Sequence, residues 1–181
     1  RAGAFIFDLD GTLIDSGRDI ALSANFVRGH FGLPELAPDV VLAYVGDGAS
    51  LLVRRVLSHD GAAALDPQVA EGLEVFREHY GRHCLDHTRL YPGVLETLRH
   101  FRLFPLAVAT NKPRAFAVKI LDGLKVGAAF RRVVCADDVA HRKPDPEPLR
   151  RCLEGLAVPP AQVVVVGDSP HDVQAARALG A

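Results

Sequence analysis

What this sequence lacks excludes several classes of protein. No apolar run approaches the roughly 20 residues that a membrane-spanning helix needs, and no signal-peptide pattern is present. No basic block stands out, and the 181 residues carry a formal net charge of only −1. Nucleic-acid-binding proteins usually show a basic patch or stripe. We therefore expect neither a membrane nor a nucleic acid as a partner.

Cysteine is scarce and methionine is missing altogether. The three cysteines, Cys84, Cys135 and Cys152, are odd in number and irregularly spaced. This pattern favours reduced thiols in the cytoplasm over a disulfide framework or a zinc site. Because the chain opens on Arg1 without any methionine and stops directly after a helical pattern, we expect a fragment of the natural product. The sequence as a whole is compatible with either a monomer or a homodimer.

Hydrophobic periodicity divides the chain into two kinds of sequence. From about residue 17 to residue 88, apolar side chains recur at helical spacing. Elsewhere, short apolar runs such as Val163–Val166 alternate with helical patterns. Such alternation, with each strand buried on both faces, predicts an α/β fold with a doubly wound, Rossmann-like parallel sheet. We predict that this core consists of residues 1–15 and 90–181, with residues 16–89 inserted as a helical domain after the first strand.

The first predicted strand ends on a pair of carboxylates. The apolar run Ala4–Phe7 is followed directly by Asp8 and, two residues later, by Asp10. Since side chains alternate along a strand, these two begin on the same side. Gly11 then lets the chain leave the sheet in conformations that other residues avoid. Two like charges this close repel, so the pair implies a bound cation or a carboxyl group with a raised pKa.

Polar residues also follow the later predicted strands. They are Thr110, Asn111, Lys143, Asp168 and Asp172. In an open parallel sheet, ligands bind beyond the carboxyl ends of the strands. Converging carboxylates favour a hard divalent cation such as Mg²⁺, and a hydroxyl with a lysine suits an anionic group such as phosphate. A carboxylate nucleophile at this edge could form an aspartyl-phosphate, with its charge stabilised by the metal and the lysine.

Four segments resemble the four motifs of the haloacid dehalogenase superfamily of phosphohydrolases. In the family's order, they are Asp8-Leu9-Asp10-Gly11-Thr12, Thr110-Asn111, Lys143-Pro144, and Gly167-Asp168 with Asp172. The resemblance implies that Asp8 is the nucleophile and a magnesium ligand. It implies that Asp10 is the general acid and then the general base, with its backbone carbonyl on the metal.

The same resemblance implies roles for the remaining motif residues. Thr110 and Lys143 would hold the phosphoryl oxygens with Asn111 beside them, and Asp168 and Asp172 would bind magnesium. Residues 16–89 would form a helical cap that closes over the site and excludes water. The family continues with another strand and helix after this chain's last segment, so we expect one side of the sheet to be less covered.

Within the superfamily, the sequence is most similar to the bacterial phosphoglycolate phosphatases. The strings that carry this similarity are Tyr44–Ala49, Tyr91–Val94 and Thr110–Pro113. The resemblance implies 2-phosphoglycolate as the substrate, whose carboxylate would need cationic or backbone donors from the cap. The candidates for these donors are Arg18, Arg54, Arg55 and the Gly46–Gly48 loop.

Three alternatives stay open at this point. They are a phosphatase for another small phosphate ester, a sugar phosphomutase, and a non-enzymatic phospho-aspartate receiver domain. Phosphomutases of this superfamily use cap lysines, and the chain has no lysine before Lys112, which weighs against that reading. The long helical insertion, together with Asp10 as a group for acid–base turnover, argues against a receiver domain.

Overall fold

The structure is a computed structural model that describes residues 2–181. It divides into two compact units: one combines the N-terminal segment up to Asp15 with Arg89–Ala181, and the other is Ser16–Thr88. The chain therefore leaves the first unit after Asp15 and returns to it at Arg89. No helix within residues 2–181 is long and apolar enough to cross a membrane.

The first unit is built on a parallel sheet. Its six strands are β1 (Ala4–Phe7), β2 (Ile14–Asp15), β3 (Arg89–Leu90), β4 (Leu106–Ala109), β5 (Arg132–Val134) and β6 (Val163–Val166). Four of them form one sheet in the order β5-β4-β1-β6, and every neighbouring pair is parallel. Strands β2 and β3 form a separate antiparallel pair where the chain leaves and re-enters the unit. The predicted α/β fold with a parallel sheet is confirmed.

Helices cover both faces of this sheet. The helices of the first unit are α5 (Val94–His100), α6 (Arg114–Gly123), α7 (Glu147–Leu153) and α8 (Pro170–Leu179). On one face, Ile6 of β1 belongs to a buried cluster with Leu149 and Cys152 of α7. Phe5 lies on the opposite face because side chains alternate, and its ring centroid is 4.2 Å from that of Phe101 at the end of α5. Packing on both faces is what the doubly wound arrangement requires.

Two details of the strands differ from the predictions. The apolar run Val133–Ala136 predicts a strand that reaches Ala136, but β5 ends at Val134, because the Cys135 N–H donates to the Asp138 carboxylate at 2.7 Å. The prediction that each strand is buried on both faces is wrong for β6, because Val164 is 38% exposed and Val166 is 37% exposed. Because side chains alternate along a strand, Val164 and Val166 share one face, so β6, the edge strand of the sheet, is less covered on that face.

The second unit is helical. It contains α1 (Gly17–His30), α2 (Pro38–Leu42), α3 (Ala49–Leu57) and α4 (Asp66–His83). Gly72 of α4 is needed for close packing, since a Cβ at this position would lie 3.0 Å from Val53 and 3.2 Å from Val27. Arg28 of α1 is fully buried, and its guanidinium donates to the Pro34 carbonyl at 2.6 Å and to the Asp60 carboxylate at 2.7 Å. These contacts satisfy a charge that would otherwise be costly to bury.

Asp19 fastens the two ends of the helical unit to each other. It lies in the first turn of α1, is buried, and accepts hydrogen bonds from the backbone N–H groups of His87 and Thr88. The Thr88 hydroxyl and the His87 Nδ1 are each 2.8 Å from the same carboxylate. Burial opposes the ionisation of Asp19, but these hydrogen bonds outweigh it and hold the pKa below its ordinary value.

We expect Asp19→Asn to lower the free energy of unfolding by about 2–4 kcal/mol at pH 7, because an amide N–H then faces buried N–H donors. A lowered pKa gives stability above the ordinary value of 3.8 and loses it as the pH falls through the folded-state value. The difference between wild type and variant should therefore narrow from pH 7 to pH 3. Urea unfolding followed by circular dichroism measures it.

The matched control is Asp39→Asn, which makes the same change at an exposed position in the first turn of α2. Its unfolding free energy should stay within about 0.5 kcal/mol of the wild type. An Asp19→Asn protein as stable as this control at pH 7 would show that the carboxylate does not hold the ends of the unit together.

Candidate active site

The order of the strands brings the predicted site residues to one edge of the sheet. Strand β1 lies between β4 and β6, all three run in the same direction, and they are followed by Asp8, Thr110 and Asp168 respectively. Thr110 is anchored there by its N–H, which donates to the Val134 carbonyl at 2.9 Å. This edge is where open parallel sheets bind their ligands, since the carboxyl ends of the strands meet there.

Lys143 reaches the same edge from the long loop after β5. The Asn111 amide holds this loop from both sides: its Nδ2 donates to the Lys143 carbonyl at 3.0 Å, and its Oδ1 accepts the Lys143 N–H at 3.1 Å. Asn111 thus contacts the backbone of Lys143 in the structure, and its predicted place beside the phosphoryl group stays a prediction.

The Lys143 ammonium joins two of the predicted carboxylates. Its Nζ lies 2.7 Å from Asp8 Oδ1 and 2.6 Å from Asp172 Oδ1, and the lysine side chain is only 3% exposed. The other oxygen of Asp172 accepts the hydroxyl of Ser169 at 2.6 Å and its N–H at 3.1 Å, at the start of α8. Every one of these contacts fixes the direction of a buried charged group.

Two glycines make room for the carboxylates. A Cβ at Gly11, where φ is +84°, would lie 2.2 Å from Asp168 Oδ2, and a Cβ at Gly167 would lie 2.2 Å from Asp172 Cγ. Both distances are far below van der Waals contact, so no other residue fits without displacing the acid. The Thr12 hydroxyl also donates to Asp168 Oδ1 at 3.2 Å.

The acids form a group that could hold a metal ion. Asp8, Asp168 and Asp172 each offer a carboxylate oxygen, and these three oxygens lie within 4.8 Å of one another. Carboxylate oxygens are the ligands that Mg²⁺ prefers in proteins. The carboxylate of Asp10 does not belong to this group, which leaves its backbone carbonyl as the contribution that the family resemblance implies.

The Asp10 carboxylate instead pairs with a residue that sequence reasoning missed. Lys112 Nζ lies 2.8 Å from Asp10 Oδ1, and the lysine is buried. The position of Lys112 directly after Asn111 in a motif was the one available signal, since nothing in the residue pattern shows where so long a side chain ends.

The charges at this edge fit a divalent cation. Four carboxylates, those of Asp8, Asp10, Asp168 and Asp172, formally carry four negative charges. Two ammonium groups, on Lys112 and Lys143, carry two positive ones. Two negative charges remain, and leaving them uncompensated is costly for Asp8 and Asp172, which are largely buried, and less so for the exposed Asp168. A Mg²⁺ ion matches this remainder in both charge and ligand type.

Burial and charge act differently on the groups that meet at Lys143. Burial is the largest cause that raises the pKa of Asp8 to about 6; Lys143 opposes this rise, and Asp172 and Asp10 add to it. Burial also opposes ionisation of Asp172, but the ammonium and the Ser169 hydrogen bonds hold that pKa below its usual range. Burial disfavours the ammonium itself, yet the two carboxylates raise the pKa of Lys143.

We expect Asp8→Asn to stabilise the metal-free protein at pH 7.5. A carboxyl group whose pKa rises from 3.8 to about 6 on folding reduces stability as the pH rises through that window, by roughly 2–3 kcal/mol. The neutral amide escapes this loss, so the gain should vanish below pH 4. Urea unfolding in the presence of EDTA measures it, and added Mg²⁺ should stabilise the wild type more than the variant.

Asp122→Asn, at an exposed position of α6, is the control for this comparison and should behave as the wild type in both buffers. If Asp8→Asn were less stable than the wild type at pH 7.5 without metal, the ionised carboxylate would be a stabilising group and the stated cost of its burial would be wrong.

Comparisons with known proteins agree on one family. The model of the haloacid dehalogenase-like hydrolases matches residues 5–181. The phosphoglycolate phosphatase of Chromobacterium violaceum is 41% identical over 180 residues, covering 98% of this chain and 81% of the relative. The phosphoglycolate phosphatase of Aquifex aeolicus is 38% identical over 177 residues, covering 97% of this chain and 80% of the relative.

Solved structures show the same relationship. A crystal structure described as a predicted phosphoglycolate phosphatase from Haemophilus somnus aligns with a TM-score of 0.93 at 30% identity, covering 99% of this chain and 82% of that one. A hydrolase of the superfamily from Geobacter sulfurreducens aligns with a TM-score of 0.77 at 25% identity, covering 99% and 84%. The motifs, the matched length and these identities together place the chain in the family of haloacid dehalogenase-like hydrolases.

Proposed function

We propose that the protein is a Mg²⁺-dependent phosphatase that hydrolyses a small phosphate monoester through an aspartyl-phosphate, with 2-phosphoglycolate as its preferred substrate. The observation that carries the proposal is the mostly buried Asp8, bound to Lys143 at 2.7 Å and grouped with Asp168 and Asp172 at the carboxyl edge of the sheet. The names of relatives about 40% identical along nearly the whole chain support the substrate.

The residues divide the reaction into two steps. In the first step, an Asp8 oxygen forms a bond to phosphorus while the ester P–O bond breaks, and Asp10 donates its proton to the leaving oxygen. In the second step, water attacks the phosphorus and gives a proton to Asp10, the bond to Asp8 breaks, and phosphate leaves. Lys143 and Thr110 stabilise the charge on the phosphoryl oxygens, with Asn111 keeping Lys143 in place.

The metal would be held by side chains of the acidic group and by one backbone carbonyl. The carboxylates of Asp8, Asp168 and Asp172 would bind Mg²⁺, together with the carbonyl of Asp10. Such an ion supplies positive charge beside the transferred phosphoryl group. The positive charge of such an ion would also favour the ionised form of Asp8. This suits a nucleophile, because an ionised carboxylate attacks and a protonated one does not.

The helical unit Ser16–Thr88 is proposed to act as the cap that excludes water and recognises the substrate carboxylate. Arg54 binds Asp66 at 2.6 Å, and Arg55 binds Asp47 at 2.6 Å and the Tyr44 carbonyl at 3.2 Å. Arg55 thus holds the loop that contains Gly46–Gly48. Since both of these guanidinium groups already have partners, we favour the exposed Arg18 for the substrate carboxylate.

We also propose that the protein works in the reducing cytoplasm. Cys84, Cys135 and Cys152 are buried thiols, and burial raises the pKa of Cys135 and of Cys152 to about 12. Thiols of this kind are poorly reactive because the thiolate is the reactive form.

Membership of a hydrolase family removes the receiver-domain alternative, whereas another ester or a phosphomutase reaction stays as an outcome of the test.

The test measures phosphate release from a panel of small phosphate esters, including 2-phosphoglycolate and sugar phosphates, with Mg²⁺ and with EDTA. We expect the highest kcat/KM with 2-phosphoglycolate, loss of turnover in EDTA, and a loss of at least about 1,000-fold in Asp8→Asn, which removes the nucleophile. Acid quenching should trap a phosphorylated protein in the wild type and none in Asp8→Asn.

Asp122→Asn again serves as the control and should retain wild-type rates. A highest kcat/KM with another ester would keep the mechanism and remove 2-phosphoglycolate. Conversion of a sugar phosphate into its isomer without release of phosphate would identify a phosphomutase. Full activity in Asp8→Asn would contradict the aspartyl-phosphate mechanism.

A further inference from the structure

We propose that Lys112 is a positioning residue that holds the Asp10 carboxylate in the orientation needed for proton transfer. This inference rests on the proposed function of Asp10, since it concerns how the chain directs that group. It adds to the site a second buried lysine, which none of the four sequence motifs assigns to a role.

The backbone of Lys112 is fixed on both sides. Its N–H donates to Thr110 Oγ1 at 3.1 Å, and its carbonyl accepts the N–H of Ala136 at 3.1 Å. Thr110 is itself tied to β5 through its own N–H. The side chain of Lys112 therefore starts from a rigid point at the end of β4, which is the condition for a group that positions another.

The side chain of Lys112 reaches Asp10 in a buried setting. The lysine side chain is 5% exposed, the Asp10 side chain is 21% exposed, and 2.8 Å separates Nζ from Oδ1. An ammonium taken out of water needs a carboxylate partner, and the contact is stronger than at the surface because the surroundings are less polar. Losing this partner would remove a buried ionic contact that fixes the direction of the Asp10 carboxylate.

The use of lysine in this chain points the same way. The sequence contains only four lysines, while arginine supplies most of its positive charge. Two of the four, Lys112 and Lys143, are buried, and they pair with Asp10 and Asp8 respectively. The chain thus places one compact ammonium on each carboxylate of the first motif.

The chemistry of the two side chains explains why a lysine suits this place. An arginine fork would engage both carboxylate oxygens at once, whereas an ammonium binds as a point charge. With Oδ1 of Asp10 held by Lys112 at 2.8 Å, the direction of the whole carboxyl group is fixed. In the first step, this carboxyl group gives its proton to the leaving oxygen as the ester bond breaks; in the second, it accepts a proton from the attacking water.

The test compares Lys112→Met with the wild type on phosphate esters whose leaving groups differ in basicity. The ratio kcat/KM reports the first step, in which a basic alkoxide needs the proton and a nitrophenolate does not. We expect Lys112→Met to lose about 100-fold on alkyl phosphates and less than about 5-fold on p-nitrophenyl phosphate. With p-nitrophenyl phosphate it should also show a burst of nitrophenolate, because the second step still needs Asp10 as a base.

Lys119→Met makes the same substitution at an exposed position of α6 and should match the wild type on every ester. An equal loss on alkyl and nitrophenyl esters in Lys112→Met would overturn the inference, since it would mean that Lys112 acts on the phosphoryl group or on folding. A structural role alone predicts no dependence on the leaving group.

Crystal structures of the wild type and Lys112→Met give a readout that does not depend on activity. The inference predicts that the Asp10 carboxylate moves or takes several rotamers in the variant while Asp8 stays in place. If the Asp10 carboxylate keeps the wild-type position and rotamer in Lys112→Met, the inference is overturned, whatever the activity of the variant. Absence of turnover by the wild type on all esters with Mg²⁺ would instead overturn the proposed function, and the position of Asp10 would still decide the role of Lys112.

Discussion

The buried ammonium of Lys143 is the group on which the rest of the site depends. It bonds to Asp8 and Asp172 at once, so that two carboxylates from different ends of the chain can approach each other in a largely buried setting. Without it, two like charges would meet with little water to screen them. The Asn111 amide, bound to both backbone groups of Lys143, keeps this ammonium at the edge of the sheet.

The site therefore combines an excess of negative charge with little space around its carboxylates. Both properties are visible in the neighbouring residues. Gly11 and Gly167 stand where any side chain would collide with Asp168 or Asp172. The acids outnumber the ammonium groups, an excess that disfavours folding without a counter-ion and favours the binding of one. Burying an ionised Asp8 is unfavourable, whereas the nucleophilic role that we propose for it requires the ionised form.

A different carboxylate, that of Asp19, joins the first and last segments of the helical unit Ser16–Thr88 to each other. Asp19 gathers the N–H groups of His87 and Thr88, so the two points at which the chain enters and leaves this unit are joined within it. This contact lies within the unit and stabilises its own fold.

The sequence by itself determined the fold class and the identity of the acids, because strand and helix periods and the four motifs are local patterns. It also predicted that Asp8, Thr110, Lys143 and Asp168 would share one edge, since the carboxyl ends of parallel strands meet. Only the tertiary structure decided which acid each lysine pairs with, that Asn111 holds the backbone of Lys143, and that Val164 and Val166 of β6 remain partly exposed. Such contacts join residues far apart in the chain through long, flexible side chains or depend on the order of strands, and neither is written in a local pattern.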